Sequence, residues 1–474
     1  MAAALRSLLS IIQDSVQRIE DGFEQRGVAF PSLDVPVTPA DASVQVLQDP
    51  QVQEASLLLT AAASQLIAAV QPPQATAFNA GTSYYLSASL RTAIELNVVE
   101  ILREAGPQGL HVRDIAAKAN VDSTKLSRIL CYLATHHIFK EVKPDVYANN
   151  RISSIWDTGK TNSDIRSQPL EKYDGTNGIA ALIAHCADED YKGAGYIVEH
   201  LTDPDTAFED SMERSPMMLA FKSDEGVWSW LEQPWNVMRL KRFGVAMDGV
   251  SKMQPPDSIL KGFDWASLAE GSVVVDVGGG IGVSSITLVQ AHPHLQCIVQ
   301  DRPLVVEQGR IHCAQTLPGA LESGKITYEE HDFFTAQPSD RSVSVFLLKQ
   351  IMHDWSNRYA LRILSRLREA ASPETQLVII DSIIPHTCPA DEISIPGAKF
   401  TTPPAPLLAN MGAANTAPYF TDLSMYVHFN GMERKLEQSV ELLKKAGWEV
   451  VQVHASDGSG RYLSQIVAVP IAAR

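Results

Sequence analysis

The chain has 474 residues, more than one core usually accommodates, so two or three domains are expected. Apolar residues make up 45% and charged residues 20%, the balance of an ordinary soluble globular protein. A net charge of −16 argues against a surface built to grip nucleic acid, and equally against an anionic membrane as the main partner.

Met1 to Ser10 carries one arginine in a mixed apolar run, with Gln13 and Asp14 soon after. That is too short and too polar for a secretory signal, and no later stretch reads as a span of about 20 apolar residues. Cys131, Cys186, Cys297, Cys313 and Cys388 are odd in number, far apart and without CxxC or Cys/His spacing. They read as reduced, mostly buried thiols of a cytoplasmic protein, with no disulfide framework and no metal site.

Helical periodicity over residues 4 to 25 (Leu5, Leu8, Leu9, Ile12, Val16, Ile19, Phe23) predicts an amphipathic helix. A Pro-containing connection leads to a second helix from about Val52 to Val70, which stops before Pro72 and Pro73. With an apolar face and no obvious core of its own, this region is expected to pack on another chain or a later domain. Next come helices over Leu90–Glu104, His111–Ala119 and Lys125–His136, the last capped by Asp122 and Ser123, and then strands over 138–142 and 146–148. This is a winged-helix pattern. Its third helix carries only Lys125 and Arg128 in an acidic chain, so a helical scaffold is favoured over DNA binding.

Residues 165 to 255 read as mainly helical and rich in aromatics, with Trp228, Trp230, Trp235 and Phe243. From Ser272 the pattern changes. Apolar runs at 273–277, 295–300, 325–329, 343–348 and 376–380 alternate with helical segments, as in a parallel sheet covered on both faces. Trp448–His454 and Tyr462–Val469 offer a closing hairpin. Ile384 to Phe420 is rich in Pro and Ala without clear period, the mark of a lid or an insertion.

Val273 to Gly282 (VVVDVGGGIG) is an apolar strand running into a glycine turn and a helix. Gly278, Gly280 and Gly282 let the backbone turn sharply and approach a ligand. Asp276, just before them, can accept from a ligand amine, and the GxGxG spacing departs from the GxGxxG of dinucleotide sites. Asp301 ends the next strand, 19 residues after Gly282, placed for ribose hydroxyls. Asp332 and Phe333 follow the third strand, where an acid and a ring can hold an adenine. His353 lies beyond the fourth strand in KQIMHDW, where open α/β sheets bind ligands. A base of ordinary pKa about 6.5 serves to deprotonate a hydroxyl, and Asp381 and Glu433 are candidates to flank it.

Together VVVDVGGGIG, QDRPLVV, EEHDFF, LLKQIMHDW, IIDSIIP and FTDLSMYVHFNGMER resemble the plant caffeate-type and fungal small-molecule O-methyltransferases over about residues 80 to 470. The resemblance implies an α/β fold: a Rossmann-like methyltransferase domain, with a seven-stranded, mostly parallel sheet and an antiparallel C-terminal hairpin, behind a winged-helix-like dimerisation domain. The implied boundaries are a helical extension over 1–75, the dimerisation domain over 76–165, a helical linker and acceptor region over 166–255, and the methyltransferase domain over 256–474, with 384–420 as its insertion. It implies S-adenosylmethionine as cofactor, a homodimer, and an aromatic, phenolic acceptor. It further implies that Gly278 and Gly280 lie in the cofactor turn, with Asp301 at the ribose and Asp332 and Phe333 at the adenine. Lys349 matches a lysine that contacts the cofactor, and His353 matches the general base, with Asp381 and Glu433 beside it. Phe243 and Met247 match acceptor-pocket residues and Ser251 a cofactor contact. Asp381 stands where the plant enzymes often have Glu, GMERK replaces a GKERT-like run, and 384–420 is longer, so the acceptor's identity stays open. A cyclase or pericyclase that binds S-adenosylmethionine on the same fold is the alternative.

Overall fold

The computed structural model describes residues 2–255, 257–390, 393–399, 402–455 and 463–472. They form two compact units. The first holds residues up to Ala207, Pro216–Met253 and Ala405–Leu407; the second holds Phe208–Ser215, Gln254–Pro404 and the chain from Leu408 on.

In the first unit, helices Ala2–Gln25 and Pro50–Val70 pack together, with Ala42–Leu47 beside them. The region bonds to the following domain, as the sequence led one to expect, through Arg151–Asp41 (2.7 Å) and Lys140–Asp34 (2.8 Å), and its helices also enclose a small core of their own: Ile19, Phe23, Val46, Val52 and Ala55. Gly22 makes the approach possible, since a Cβ there would lie 2.5 Å from Val52 Cγ2. Arg18–Glu54 and Arg26–Asp49 ion pairs, each 2.5 Å, flank the contact. By length and composition Pro50–Val70 also meets the criterion for a membrane-crossing helix, which the sequence reading had not anticipated. Here Val52, Ala55, Ala61 and Ala62 are buried along it.

Helices Tyr84–Glu95, Val98–Ala105, Val112–Ala119 and Ser123–Thr135 precede a small wing. Its strands β1 (Leu110–His111), β2 (Lys140–Lys143) and β3 (Val146–Ala148) pair antiparallel in the order β1-β3-β2. The single helix expected over 90–104 is two, because Asn97 turns into the left-handed region (φ 54) and bonds Asn162 and Lys172 through its side chain. His111, expected to begin a helix, pairs in β1 and accepts from Arg113 N at 3.2 Å. Asp122 caps Ser123–Thr135, accepting from the amides of Thr124 and Lys125. Pro73, read as part of a stop, sits in the first turn of a further helix, Pro73–Thr82.

Farther along, Ile179–His185 crosses Val237–Met253 where Gly178 faces Gly249; a Cβ on Gly178 would come 2.5 Å from the Gly249 Cα. A π-turn, Cys186–Asp190, follows and buries Asp188 and Glu189. Arg242 bonds both acids, at 2.8 and 2.5 Å, and Arg91 and Lys192 also reach Asp188. Burial pushes the Asp188 carboxyl up, but these cations more than offset it and hold it at about 2.

The second unit is a seven-stranded sheet of β4 (Val273–Val277), β5 (Gln296–Asp301), β6 (Ile326–Glu330), β7 (Val345–Lys349), β8 (Gln376–Asp381), β9 (Trp448–His454) and β10 (Ser464–Pro470). The order is β6-β5-β4-β7-β8-β10-β9. The first five strands are parallel, and β10 pairs antiparallel with both β8 and β9. Tyr462, expected to begin the last strand, lies outside the described residues. The interior strands are uniform β-branched and aromatic runs because both faces are covered: Val274, Val277, Phe346, Leu347 and Leu348 are fully buried. Helix Asn357–Ala370 covers one face through Ala360, Ile363, Leu364 and Leu367, an i, i+3, i+4, i+7 stripe.

Within 384–420, Asp391, Glu392, Phe400 and Thr401 lie outside the described residues. Among the rest, Val453 N donates to Pro396 O at 2.9 Å, and Tyr419 Oη donates to Pro385 O at 2.6 Å. Gly397 lies against β9, where a Cβ would overlap Val453 O. The segment thus lines the sheet edge before helix Ala417–Phe429 begins.

Candidate active site

The sheet order reverses between β4 and β7, and ligands of open α/β folds bind at the carboxyl ends of strands at such a point. The glycine turn leaves β4 there. Gly278, Gly280 and Gly282 all have positive φ (68, 60 and 85), which side-chain-bearing residues rarely adopt. Each faces something different. A Cβ on Gly278 would meet Ile351 Cδ1 at 2.5 Å, and one on Gly282 would meet Tyr328 Oη at 2.3 Å, whereas Gly280 has nothing within 4 Å. The turn is therefore gripped at both ends and open in the middle.

Asp276 is buried, accepts from Ser285 Oγ at 2.7 Å, and presses on Gly279. Burial raises its carboxyl to about 6 against the opposing pull of Ser285 and Lys349. It braces the turn from within. Asp301, at the end of β5, accepts from Gly280 N at 2.8 Å through Oδ2 and from Arg302 N at 2.8 Å through Oδ1. Carboxylate oxygens have further lone pairs, so it can still accept from a diol. Asp332 is exposed in the loop beyond β6, and the Phe333 ring packs on Trp355 (centroids 5.7 Å apart) while reaching toward Gly278. Lys349 ends β7, its ammonium pushed down by burial and supported by Asp276. The strand ends thus bring together all the cofactor candidates but Ser251, which is exposed on helix Val237–Met253 of the first unit.

The chain then turns at Gln350 (φ 55), places Ile351 over Gly278, and enters a short 3₁₀ turn, Met352–Asp354. His353 is 8% exposed, and its Nδ1 lies 2.7 Å from Glu433 Oε1. Asp354 Oδ1 is 3.6 Å from Nε2. Burial pushes the imidazole down, but Asp354, Glu433 and Asp381 together carry it up to about 10. Burial raises Asp354 to about 6 and also drives Asp381 upward. Among the described residues no hydrogen bond joins Asp381 to His353, so this acid acts through its charge while Glu433 makes the direct contact.

Two residues that the sequence reading did not single out complete the cluster. Asp354 stands beside the histidine in the HDW run. Arg434, buried beside Glu433, donates to Met352 O at 2.6 Å, Trp355 O at 2.7 Å and Asn357 Oδ1 at 3.0 Å. Their only sequence signal is adjacency to His353 and Glu433, since the bonds join segments about eighty residues apart. Tyr328, hidden in the alternation of β6, is a third: its hydroxyl donates to Ile281 O at 2.8 Å and fixes the glycine turn.

Phe243 and Met247 lie on helix Val237–Met253 in the first unit. The Phe243 ring packs edge-on against Trp228 (5.6 Å) and His185 (5.4 Å), and Met247 is 37% exposed.

An O-methyltransferase domain family matches residues 225–395, and an O-methyltransferase dimerisation domain family matches 79–158. The 4-O-methyltransferase 1 of Phanerochaete chrysosporium is 40% identical over 474 aligned residues, 99% of this chain and 100% of its own length. The chain belongs to the O-methyltransferase family. The fold is shared with the structure of OxaC in complex with SAH and oxaline (TM-score 0.65, 20% identity, 98% of this chain and 100% of that one). It is shared also with a structure described as a pericyclic reaction enzyme (TM-score 0.62, 19% identity, 91% and 99%). This O-methyltransferase uses S-adenosylmethionine, and the open cradle at Gly280 with acids at successive strand ends fits that ligand. The dimerisation domain supports a homodimer.

Proposed function

We propose that this O-methyltransferase methylates a phenolic hydroxyl of an aromatic small molecule, with His353 as general base. The observation that carries the reading is the 2.7 Å pairing of His353 Nδ1 with buried Glu433, two residues beyond the side chain that covers the glycine turn. Nδ1 donating to Glu433 leaves Nε2 as the acceptor of a proton. The surrounding acids, overcoming the opposing effect of burial, make it a strong acceptor, about 10, close to the acidity of a phenol at about 10. An aliphatic hydroxyl is far less acidic and would not be matched.

S-adenosylmethionine supplies a sulfonium-activated methyl group, which leaves as S-adenosylhomocysteine forms. His353 Nε2 takes the hydroxyl proton as the oxygen forms its bond to that methyl carbon, and Glu433 stabilises the resulting imidazolium. Asp301, Asp332, Phe333, Lys349 and the turn at Gly278 and Gly280 are the proposed cofactor contacts, together with Asp276 as brace and Ser251. Phe243 and Met247 are the proposed acceptor contacts.

The test is a screen of phenols with methyl-labelled cofactor, following label in product and S-adenosylhomocysteine release, on the wild type and on His353→Ala. Labelled methyl ether from the wild type, with a loss of about 10²–10⁴-fold in the variant, is expected. Acceptor turnover without S-adenosylhomocysteine would overturn methyl transfer to it, and a variant at the wild-type rate would overturn the base.

A further inference from the structure

We propose that Arg434 is a positioning residue for the base: it fixes the backbone on both sides of His353 and balances the charge of the acids around it. The inference rests on the reading of His353 as general base.

The guanidinium bridges three points of one short loop. Nη1 donates to the carbonyl of Met352, immediately before His353, and Nη2 to that of Trp355, two residues after it; Nε donates to Asn357 Oδ1 at the start of the next helix. Within the 3₁₀ turn the Met352 carbonyl accepts only a long bond, from Trp355 N at 3.4 Å, and the Trp355 carbonyl lies just past the turn. Planar, fixed donors on an always-charged group suit this role, which a lysine's point charge does not reproduce. The backbone of the same segment adds to the grip, with Met432 N donating to His353 O at 2.8 Å and Ile384 N donating to Arg434 O at 3.1 Å. One docked segment thus delivers both the orienting acid, Glu433, and the clamp.

The charge argument is independent of the hydrogen bonds. Facing His353 are Asp354 from its own turn, Glu433 from the docked segment and Asp381 from the end of β8; Asp422 and His428 face the same cluster from helix Ala417–Phe429. Arg434 is 6% exposed and is attracted to Asp381, Glu433 and Asp422. Without it the acids would act on His353 unopposed, and the imidazole would hold its proton more tightly.

The experiment compares Arg434→Met with Arg434→Met/Asp422→Asn, using the full chain and the best phenol from the acceptor screen. It measures kcat from pH 6 to about 11.5, wide enough to hold a limb one unit above the wild-type one, and S-adenosylhomocysteine affinity. The His353→Ala profile gives the acceptor's own ionisation. We expect R434M to bind S-adenosylhomocysteine within about three-fold of wild type, to lose at least ten-fold in kcat, and to move the base's limb up by about one pH unit. The double variant, with one acid neutralised, should return the limb toward its wild-type position while kcat stays low. If R434M does not bind S-adenosylhomocysteine, R434K is assayed in its place for the loss of kcat. A kcat within two-fold of wild type, or a fallen kcat whose limb neither variant moves, overturns the proposal. A wild-type rate in His353→Ala would instead overturn the base assignment beneath it.

Discussion

Gly431 lies against the carbonyl of His353 so closely that a Cβ at Gly431 would come within 2.3 Å of that oxygen. The backbone passes beneath the base at this point, and no flexible side chain stands there to yield. Gly431→Ala must push the docked segment away from the histidine turn and with it Glu433. The expected result is a fall in kcat of at least ten-fold, with S-adenosylhomocysteine affinity within about three-fold of wild type and stability lower by about 1–3 kcal/mol. Calorimetric titration and a thermal melt on the same sample separate these effects.

The electrostatics around His353 predict the pH profile. Its imidazole is carried up to about 10, so at neutral pH most molecules hold the proton that a base must lack. Activity should therefore rise from pH 7 toward about 10, and fall as pH drops, in the direction of a group that must be deprotonated. Glu433→Gln removes one charge that raises the imidazole, so the limb should move to lower pH. The amide also misorients the ring, and kcat at the plateau should fall by about 10²–10⁴-fold. A limb that stays in place would show that Glu433 does not set the base.

The glycine turn gives a prediction confined to the cofactor. Gly282 has φ 85, and a Cβ there would lie 2.3 Å from the Tyr328 hydroxyl, the group that holds Ile281. Gly282→Ala combines backbone strain with displacement of that hydroxyl, whereas Tyr328→Phe removes only the hydrogen bond. S-adenosylhomocysteine affinity should drop by more than ten-fold in the first and by about three- to ten-fold in the second, about 0.7–1.4 kcal/mol. Equal losses would mean that the hydroxyl, and not the turn's conformation, carries the effect.

The sheet was legible because its signal is local. Val273–Val277, read from a β-branched run ending in glycines, is β4 with the same bounds, and Trp448–His454 is β9. A buried parallel strand such as β4 leaves such a run with little ambiguity. The break at Asn97 was not legible, since a single left-handed residue inside an apolar period leaves the period intact. The small N-terminal core was missed for a related reason. An amphipathic stripe shows that a face is buried, but it does not name its partner, which here is the neighbouring helix. At the site, a strand end pointed to Asp301 and the family resemblance to Lys349, whereas Arg434 acts through backbone carbonyls that no residue pattern marks.

The buried ions of the first unit predict a stability effect unrelated to chemistry. Arg242 is 6% exposed and bonds both Asp188 and Glu189, which are 2% and 1% exposed. Removing it takes the shortest cation contact from Glu189 and leaves Arg91, Lys192 and Arg239 beside Asp188, and Arg239 (3.2 Å) and His185 (3.0 Å) beside Glu189. Breaking a buried pair by deleting one partner costs about 3–5 kcal/mol, because the remaining charge is left uncompensated. Arg242→Met should approach that range, and Arg242→Met/Glu189→Gln should recover part of it by removing the acid with fewer remaining cations. Chemical denaturation of the two variants, each at the same protein concentration because dimerisation contributes to apparent stability, checks the order. If the double variant is the less stable, the cost lies in lost packing of the arginine stem and not in the lost ion pairs.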